Sequence, residues 1–197
     1  MSWLVTAKIA EGRIKEASGS QVEEYLQQLV EIMKGHKPPD FEYGTTMEYF
    51  LRNGRLFPSA PLNQQEMAGL KHALAMAKFY KPKQCYYNSQ HMAIGNPKIR
   101  YAEGYLITDG LPLPIAHGWN VVNGKVVDFT MKHANGGKPI LGELPAGWEY
   151  FGVEMDTSMI RDIWSKHKVS IPLVDNYEDG FPLLRGKGAS GDGGKEL

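Results

Sequence analysis

The sequence predicts an α+β fold in which helices come first and an antiparallel β-sheet follows. Three observations carry that expectation. Before residue 95, apolar residues recur at helical spacing behind residues suited to cap helices. After Pro97 the period falls to two. Finally, Asn123-Gly124 sits between Val121, Val122, Val126 and Val127, and this pair best tolerates the positive φ angles of a two-residue hairpin turn.

The elements follow in order. Residues 1–19 hold a short apolar start and then mixed polar sequence, read as a strand or an arm on the body. Ser20 with Glu23 makes a capping box for a helix whose Val22, Leu26, Leu29, Val30 and Met33 share a face, stopped by Gly35 and Pro38-Pro39. Thr45 with Glu48 opens a short second helix through Met47, Phe50 and Leu51, ending at Asn53-Gly54. Asn63 with Glu66 starts the longest helical pattern, with Met67, Leu70, Leu74 and Ala77 on one face as far as about Tyr80. Pro82 before and Gly95-Asn96-Pro97 after bound a further helix over residues 84–94, with Cys85 in its first turn.

The strands come next. Ile99, Tyr101, Tyr105 and Ile107 alternate with Arg100, Ala102, Gly104 and Leu106 in a strand that ends at Thr108-Asp109-Gly110. Pro112 and Pro114 restrict residues 111–115 to an edge lead-in. Residues 117–130, HGWNVVNGKVVDFT, form the hairpin. Residues 132–147 are turn-rich and read as a long surface connection; residues 148–155 read as a short strand. Asp156 or Thr157 caps a last helix through Met159, Ile160, Ile163 and Trp164. The whole reads as a single domain over residues 1–184, with its core over about 63–167, and the Gly-rich residues 185–197 as a flexible tail.

The hairpin register decides where its polar residues go. A two-residue loop pairs Val122 with Lys125 and Val121 with Val126, which sets Trp119 opposite Asp128 and His117 opposite Thr130. All six side chains at the 117, 119, 121, 126, 128 and 130 positions then share one face. His117 and Asp128 become diagonal neighbours, roughly 7–8 Å apart between backbones and close enough for an imidazole to lean onto a carboxylate. A three-residue loop would separate them; a four-residue loop would not.

Composition narrows the function classes. Lysine plus arginine and aspartate plus glutamate both number 22, so no net field recruits nucleic acid or an anionic membrane. No apolar run suits a bilayer span, and residues 1–20 lack the order of a signal peptide, so a cytoplasmic protein is expected. The single cysteine, Cys85, forms no intramolecular disulfide and fits a reducing compartment. The six histidines lack paired-ligand spacing and there is no phosphate-binding glycine loop, so neither a metal nor a cofactor is expected.

A thiol becomes a nucleophile when deprotonated, which a helix N-terminus and a nearby imidazole both favour. Singly, Cys85 reads most simply as a small buried hydrophobe and Trp119 as core. Together, a cysteine at a helix start, a strand, and a hairpin presenting His117 and Asp128 on one face supply the parts of a Cys-His-Asp triad. The Cys85 amide is a natural first donor to an oxyanion. A second could come from Asn88 one turn along, the Trp119 indole or the Tyr80 phenol.

These residues resemble the core of the transglutaminase-like superfamily of cysteine enzymes. Gln84-Cys85, the RYAEGYL stretch from Arg100 to Leu106, HGWNVV from His117 to Val122, and DFT from Asp128 to Thr130 stand in that superfamily's order over about residues 82–131. Gly118 replaces its usual alanine and Phe129 its usual proline. Arylamine N-acetyltransferases share the cysteine-histidine-aspartate order and an asparagine soon after the nucleophile, as Asn88 is here, but the nearer likeness is to small bacterial and phage members of the superfamily. The resemblance implies a papain-like core with the cysteine-bearing helix packed on an antiparallel sheet, and it makes Cys85 the nucleophile, His117 the general base and Asp128 its orienter. The expected function is acyl transfer through a thioester on a protein, peptide or small amide or ester substrate, as a protease, deamidase or amidase ahead of a cross-linking transferase. The alternative is a catalytically inactive binding or inhibitory module on the same fold.

Overall fold

A computed structural model describes residues 19–35, 37–76, 79–111 and 113–187. The expected N-terminal arm therefore lies outside the described residues except for Gly19. So do Ala77 and residues 188–197 of the expected tail.

In chain order the elements are α1 (Gln21–Ile32), α2 (Thr46–Asn53), β1 (Arg55–Leu56), α3 (Gln64–Gly69), α4 (Lys71–Met76), α5 (Cys85–Gly95), β2 (Arg100–Ile107), β3 (Ile115–Val122), β4 (Lys125–Asp128), β5 (Ile140–Leu141), β6 (Glu149–Met155) and α6 (Thr157–His167). The strands form one sheet in the order β1-β6-β2-β3-β4-β5, with every neighbouring pair antiparallel. The fold is α+β, as the sequence predicts. The hairpin turns through Asn123 and Gly124, with φ of 49° and 78°, and pairs Val122 with Lys125, Val121 with Val126 and Asn120 with Val127. The two-residue loop thus holds His117, Trp119, Val121, Val126 and Asp128 to one face of the sheet.

Both faces are covered, which is why β2 is buried along most of its length. Tyr101 and Phe151 meet Val22 and Leu26 of α1, Phe50 of α2 and Ile160 of α6 on one side. Ala102, Leu106, Trp119, Val121, Val126 and Tyr150 pack with Phe57, Ile140 and Trp148 on the other. A third cluster, Leu70, Met92, Ile99, Val122 and Phe129, closes the end near the turn. The first face also buries Glu103, whose carboxylate accepts the Tyr101 hydroxyl at 2.6 Å and the amides of Leu173 and Val174 at 2.5 and 3.0 Å. Those bonds fasten the segment after α6 across the sheet.

Two glycine pairings set how closely the layers approach. Gly104 and Gly152 face each other across β2 and β6, and a Cβ on Gly152 would lie 2.7 Å from the Trp119 ring. The indole therefore rests directly on the backbone. On the opposite face, a Cβ on Gly118 would lie 2.9 Å from Tyr86 and 3.2 Å from both Ser89 and Tyr101. The missing side chain lets the first turn of α5 sit against β3.

Several elements differ from expectation. The single helix expected from Asn63 to about Tyr80 breaks after Gly69: the Leu70 amide turns back to Met67 at 3.1 Å, and a second helix starts at Lys71. Gly69 holds helix weakly, and the break lets Leu70 drop into the third cluster, where it is 1% exposed. Residues 132–147 are more than a surface connection. Met131–His133 form a 3₁₀ turn, and β5 pairs with β4 through Asp128 and Ile140, burying Ile140. β1 was not legible as a strand, having two exposed residues and no alternation. The start of the expected tail is tied down as well, because Arg185 pairs with Asp40 and donates to Gly180 O at 2.6 Å.

Neither of the two expected capping boxes closes reciprocally; the one that does is at Asn63 with Glu66, read from the sequence only as a helix start. Ser20 and Thr45 accept from the amides of Glu23 and Glu48 as expected. The Glu48 carboxylate accepts from the Gly44 amide instead of from Thr45, and the Ser20 hydroxyl donates to Glu149 on β6.

Candidate active site

Three elements converge at one end of the sheet. Cys85 is the first residue of α5, and the close approach at Gly118 brings it over β3. The His117 side chain and the backbone amides of Gly118 and Tyr86 lie close enough to its sulfur to favour the thiolate. Residues opening a helix have amides without intrahelical acceptors, so the Tyr86 donor is a product of this placement.

His117 lies on β3, 3% exposed, with Nε2 at 2.6 Å from Asp128 Oδ2. That leaves Nδ1 as the ring nitrogen facing the thiol. The Trp119 indole, two residues along the same face, lies nearly parallel to the imidazole at 6.3 Å between centroids. With Tyr150 at 6.2 Å on another side, the ring is held in a walled slot.

Asp128 ends β4, and all of its acceptor capacity is used. Oδ1 accepts the amides of Thr130 and Met131 at 2.7 and 3.1 Å; Oδ2 accepts from His117 and from the Tyr150 hydroxyl at 3.0 Å. The first two bonds close an Asx turn as the chain leaves the strand, which fixes the carboxylate against its own backbone.

The electrostatics favour a charged relay. Burial is the largest single influence at each of the three groups and opposes charge on all of them. Interactions within the cluster overcome it. The Asp128 carboxylate, and after it the Cys85 sulfur, push the His117 imidazole up to about 10. The imidazolium and then the Met131 and Thr130 amides hold Asp128 below its ordinary range. The Cys85 thiol, raised by burial, is drawn below its ordinary 9.0 by His117 and the two amides. A thiolate, an imidazolium and a carboxylate in series are the state this arrangement stabilises.

Cys85 is the end of the series that meets solvent. Cys85 is partly exposed while His117 and Asp128 are buried, and Cys85 and His117 line a cleft of about 530 Å³. Its walls come from the turn before α5 (Pro82, Lys83), the start of β3 (Ile115, Ala116) and the segment after β4 (Thr130, Met131, His133, Ala134).

Asn88, Trp119 and Tyr80 do not line that cleft. The buried Asn88 amide is saturated: it accepts from Lys81 N at 3.1 Å and donates to Lys81 O at 2.8 Å and to Thr130 Oγ1 at 3.0 Å. It thereby clamps the turn before Cys85 to the segment after Asp128, joining two walls of the cleft. Trp119 is fully buried, edge-on to Phe57 and Tyr150, behind the imidazole. Tyr80 packs on Phe129 at 5.7 Å.

Sequence reasoning missed Tyr150 and the Gly118 amide. No spacing links Tyr150 to Asp128, since the two strands are separated in the sheet and meet only through side chains. Gly118 carried a signal, because a glycine inside a strand often marks a close backbone approach. Among the described residues, no three histidine, cysteine, aspartate or glutamate side chains are grouped to hold a metal ion, and no helix is long and apolar enough to cross a membrane. The chain matches no family model, no curated protein and no solved structure.

Proposed function

We propose that this protein is a cysteine-dependent acyl-transfer enzyme of the transglutaminase-like kind, with Cys85 as nucleophile, His117 as general acid and base, and Asp128 as orienter of the imidazole. One observation carries the reading: the thiol sits beside an imidazole that is itself hydrogen-bonded to a buried carboxylate, and Cys85, the partly exposed member of the three, lines a cleft.

The reaction follows from those positions. The Cys85 thiolate attacks the carbonyl carbon of an amide or ester, and negative charge gathers on the oxygen. The Cys85 amide, which opens the helix and has no intrahelical acceptor, is the donor assigned to that oxygen. His117 passes its Nδ1 proton to the leaving amine or alcohol as the C–N or C–O bond breaks, leaving a thioester. It then takes a proton from water, the hydroxide adds to the thioester, and cleavage of the C–S bond restores the thiolate. Asp128 keeps its charge throughout and holds the ring with Nε2 protonated, so that Nδ1 is always the nitrogen that exchanges. Water is taken as the acceptor ahead of an amine.

Alkylation by iodoacetamide tests this reading, because Cys85 is the only cysteine in the chain. Measured from about pH 5 to about pH 9, the wild type should react well below the ordinary thiol range, and His117→Ala should lose that low-pH reactivity. An ordinary or inaccessible thiol in both proteins would remove the proposal's main support.

A further inference from the structure

The walls of the cleft point to the substrate as well as to the chemistry. Apart from Cys85 and His117, its side chains are the apolar Pro82, Ile115, Ala116, Met131 and Ala134, the basic Lys83 and His133, and Thr130. The Thr130 oxygen is already an acceptor for Asn88 at 3.0 Å. No aspartate or glutamate lines the cleft. Lys83 stands at its mouth with φ of 61°, in the turn that Asn88 clamps, and it makes no ion pair among the described residues.

We infer that the cleft takes an apolar, uncharged acyl group, with Ile115 and Met131 as the residues that select it and Lys83 as the group that turns away cations. The inference rests on the acyl-transfer reading above. A cleft of this size is in the range of small-ligand pockets. A polar acyl chain entering it would lose water and find few partners in exchange. A cationic chain would also meet the Lys83 ammonium with no carboxylate to offset it. An aliphatic chain suffers neither loss and gains about fourfold in binding for each methylene fully buried.

Three p-nitrophenyl esters test this: the acetate, the hexanoate and the cationic dimethylaminobutyrate. In each the Cys85 S–C bond forms, the ester C–O bond breaks and p-nitrophenolate departs with the electron pair; water later releases the carboxylic acid and restores the thiol. The acylation rate is read from the p-nitrophenolate burst and the intact mass of the single-cysteine protein. Each rate is divided by that of N-acetylcysteine with the same ester, which removes intrinsic ester reactivity.

The expected result is hexanoate at least about tenfold faster than acetate, and dimethylaminobutyrate at least about tenfold slower than hexanoate. Met131→Ser should bring the hexanoate-to-acetate ratio toward one, while Met131→Leu keeps it; if the serine variant does not fold, the wild-type ratios decide. Acylation by all three esters at equal normalised rates would overturn the assignment of the acyl group and leave the acyl-transfer reading standing. Failure of every ester to acylate Cys85 would overturn the reaction itself.

Discussion

Replacing Asp128 with asparagine perturbs the relay while keeping its shape, so its outcome depends on charge and tautomer more than on packing. The His117 imidazole is raised from its ordinary 6.5 to about 10, so the ring is held as the imidazolium at neutral pH. Asp128 is the largest influence in that direction and works against the burial of the ring. With the charge gone, burial dominates and the imidazole is neutral near pH 7. The tautomer also changes. An asparagine keeping its oxygen on the Thr130 and Met131 amides turns its NH₂ toward His117 Nε2, which must then accept. The ring proton moves to Nδ1, facing the sulfur, and the ring can no longer take the thiol's proton.

The thiol, deprived of its counter-ion in a buried setting, should rise above 9.0. Hydrolytic turnover of an activated ester should fall by about 10⁴-fold, the loss seen when the acid of such a triad becomes an amide. The iodoacetamide pH profile should move to higher pH, because the thiolate loses the imidazolium beside it. Urea unfolding should show a loss of about 1–3 kcal/mol, because the Tyr150 hydroxyl and the NH₂ then compete at one place. An alkylation profile for Asp128→Asn that superposes on the wild type would refute the reasoning, since neither the charge nor the tautomer would then matter to the sulfur.

Two other perturbations act on the support of the site. Gly118→Ala places a methyl 2.9 Å from Tyr86, so it should cost about 1–3 kcal/mol in denaturant unfolding and slow low-pH alkylation as α5 is pushed off β3; full stability would contradict the close approach. Glu103, whose carboxyl burial pushes up to about 7 from an ordinary 4.5, is protonated in the folded chain and ionised in the unfolded chain between those values. The unfolded state binds fewer protons there, so this group's contribution to stability is full below about pH 4.5 and falls by about 3 kcal/mol as pH rises to about 7. Unfolding measured across that window should show the decline in the wild type and a flatter profile in Glu103→Gln; parallel profiles would show that the carboxyl titrates normally.

What was legible in the sequence was local. The Asn123-Gly124 turn set the hairpin register, and with it the shared face of His117 and Asp128, because a period of two leaves no freedom once the loop length is fixed. Pro82 and the glycine-proline stop bounded α5 and put Cys85 at its start. The partners that complete the site come from distant strands or from backbone. Tyr150 reaches Asp128 across the sheet, and the Gly118 and Tyr86 amides point at sulfur only because α5 docks where a Cβ is missing. Asn88 shows the same limit from the other side. Its place one turn after Cys85 suggested a donor for the oxyanion, yet nothing in the spacing revealed that Lys81 and Thr130 would occupy its amide. The break at Leu70 is likewise tertiary, since a continuous helical pattern gives way where burying one leucine outweighs a weak glycine turn.

The central claim is that Cys85 rests as a thiolate beside a protonated His117. Thiolate ultraviolet absorbance, titrated against pH with Cys85→Ser as the blank, reads it directly. The expected result is a thiolate that forms below the ordinary 9.0, with the ionisation moving upward in His117→Ala. A single ionisation at or above 9.0 in the wild type, unchanged in His117→Ala, would contradict it.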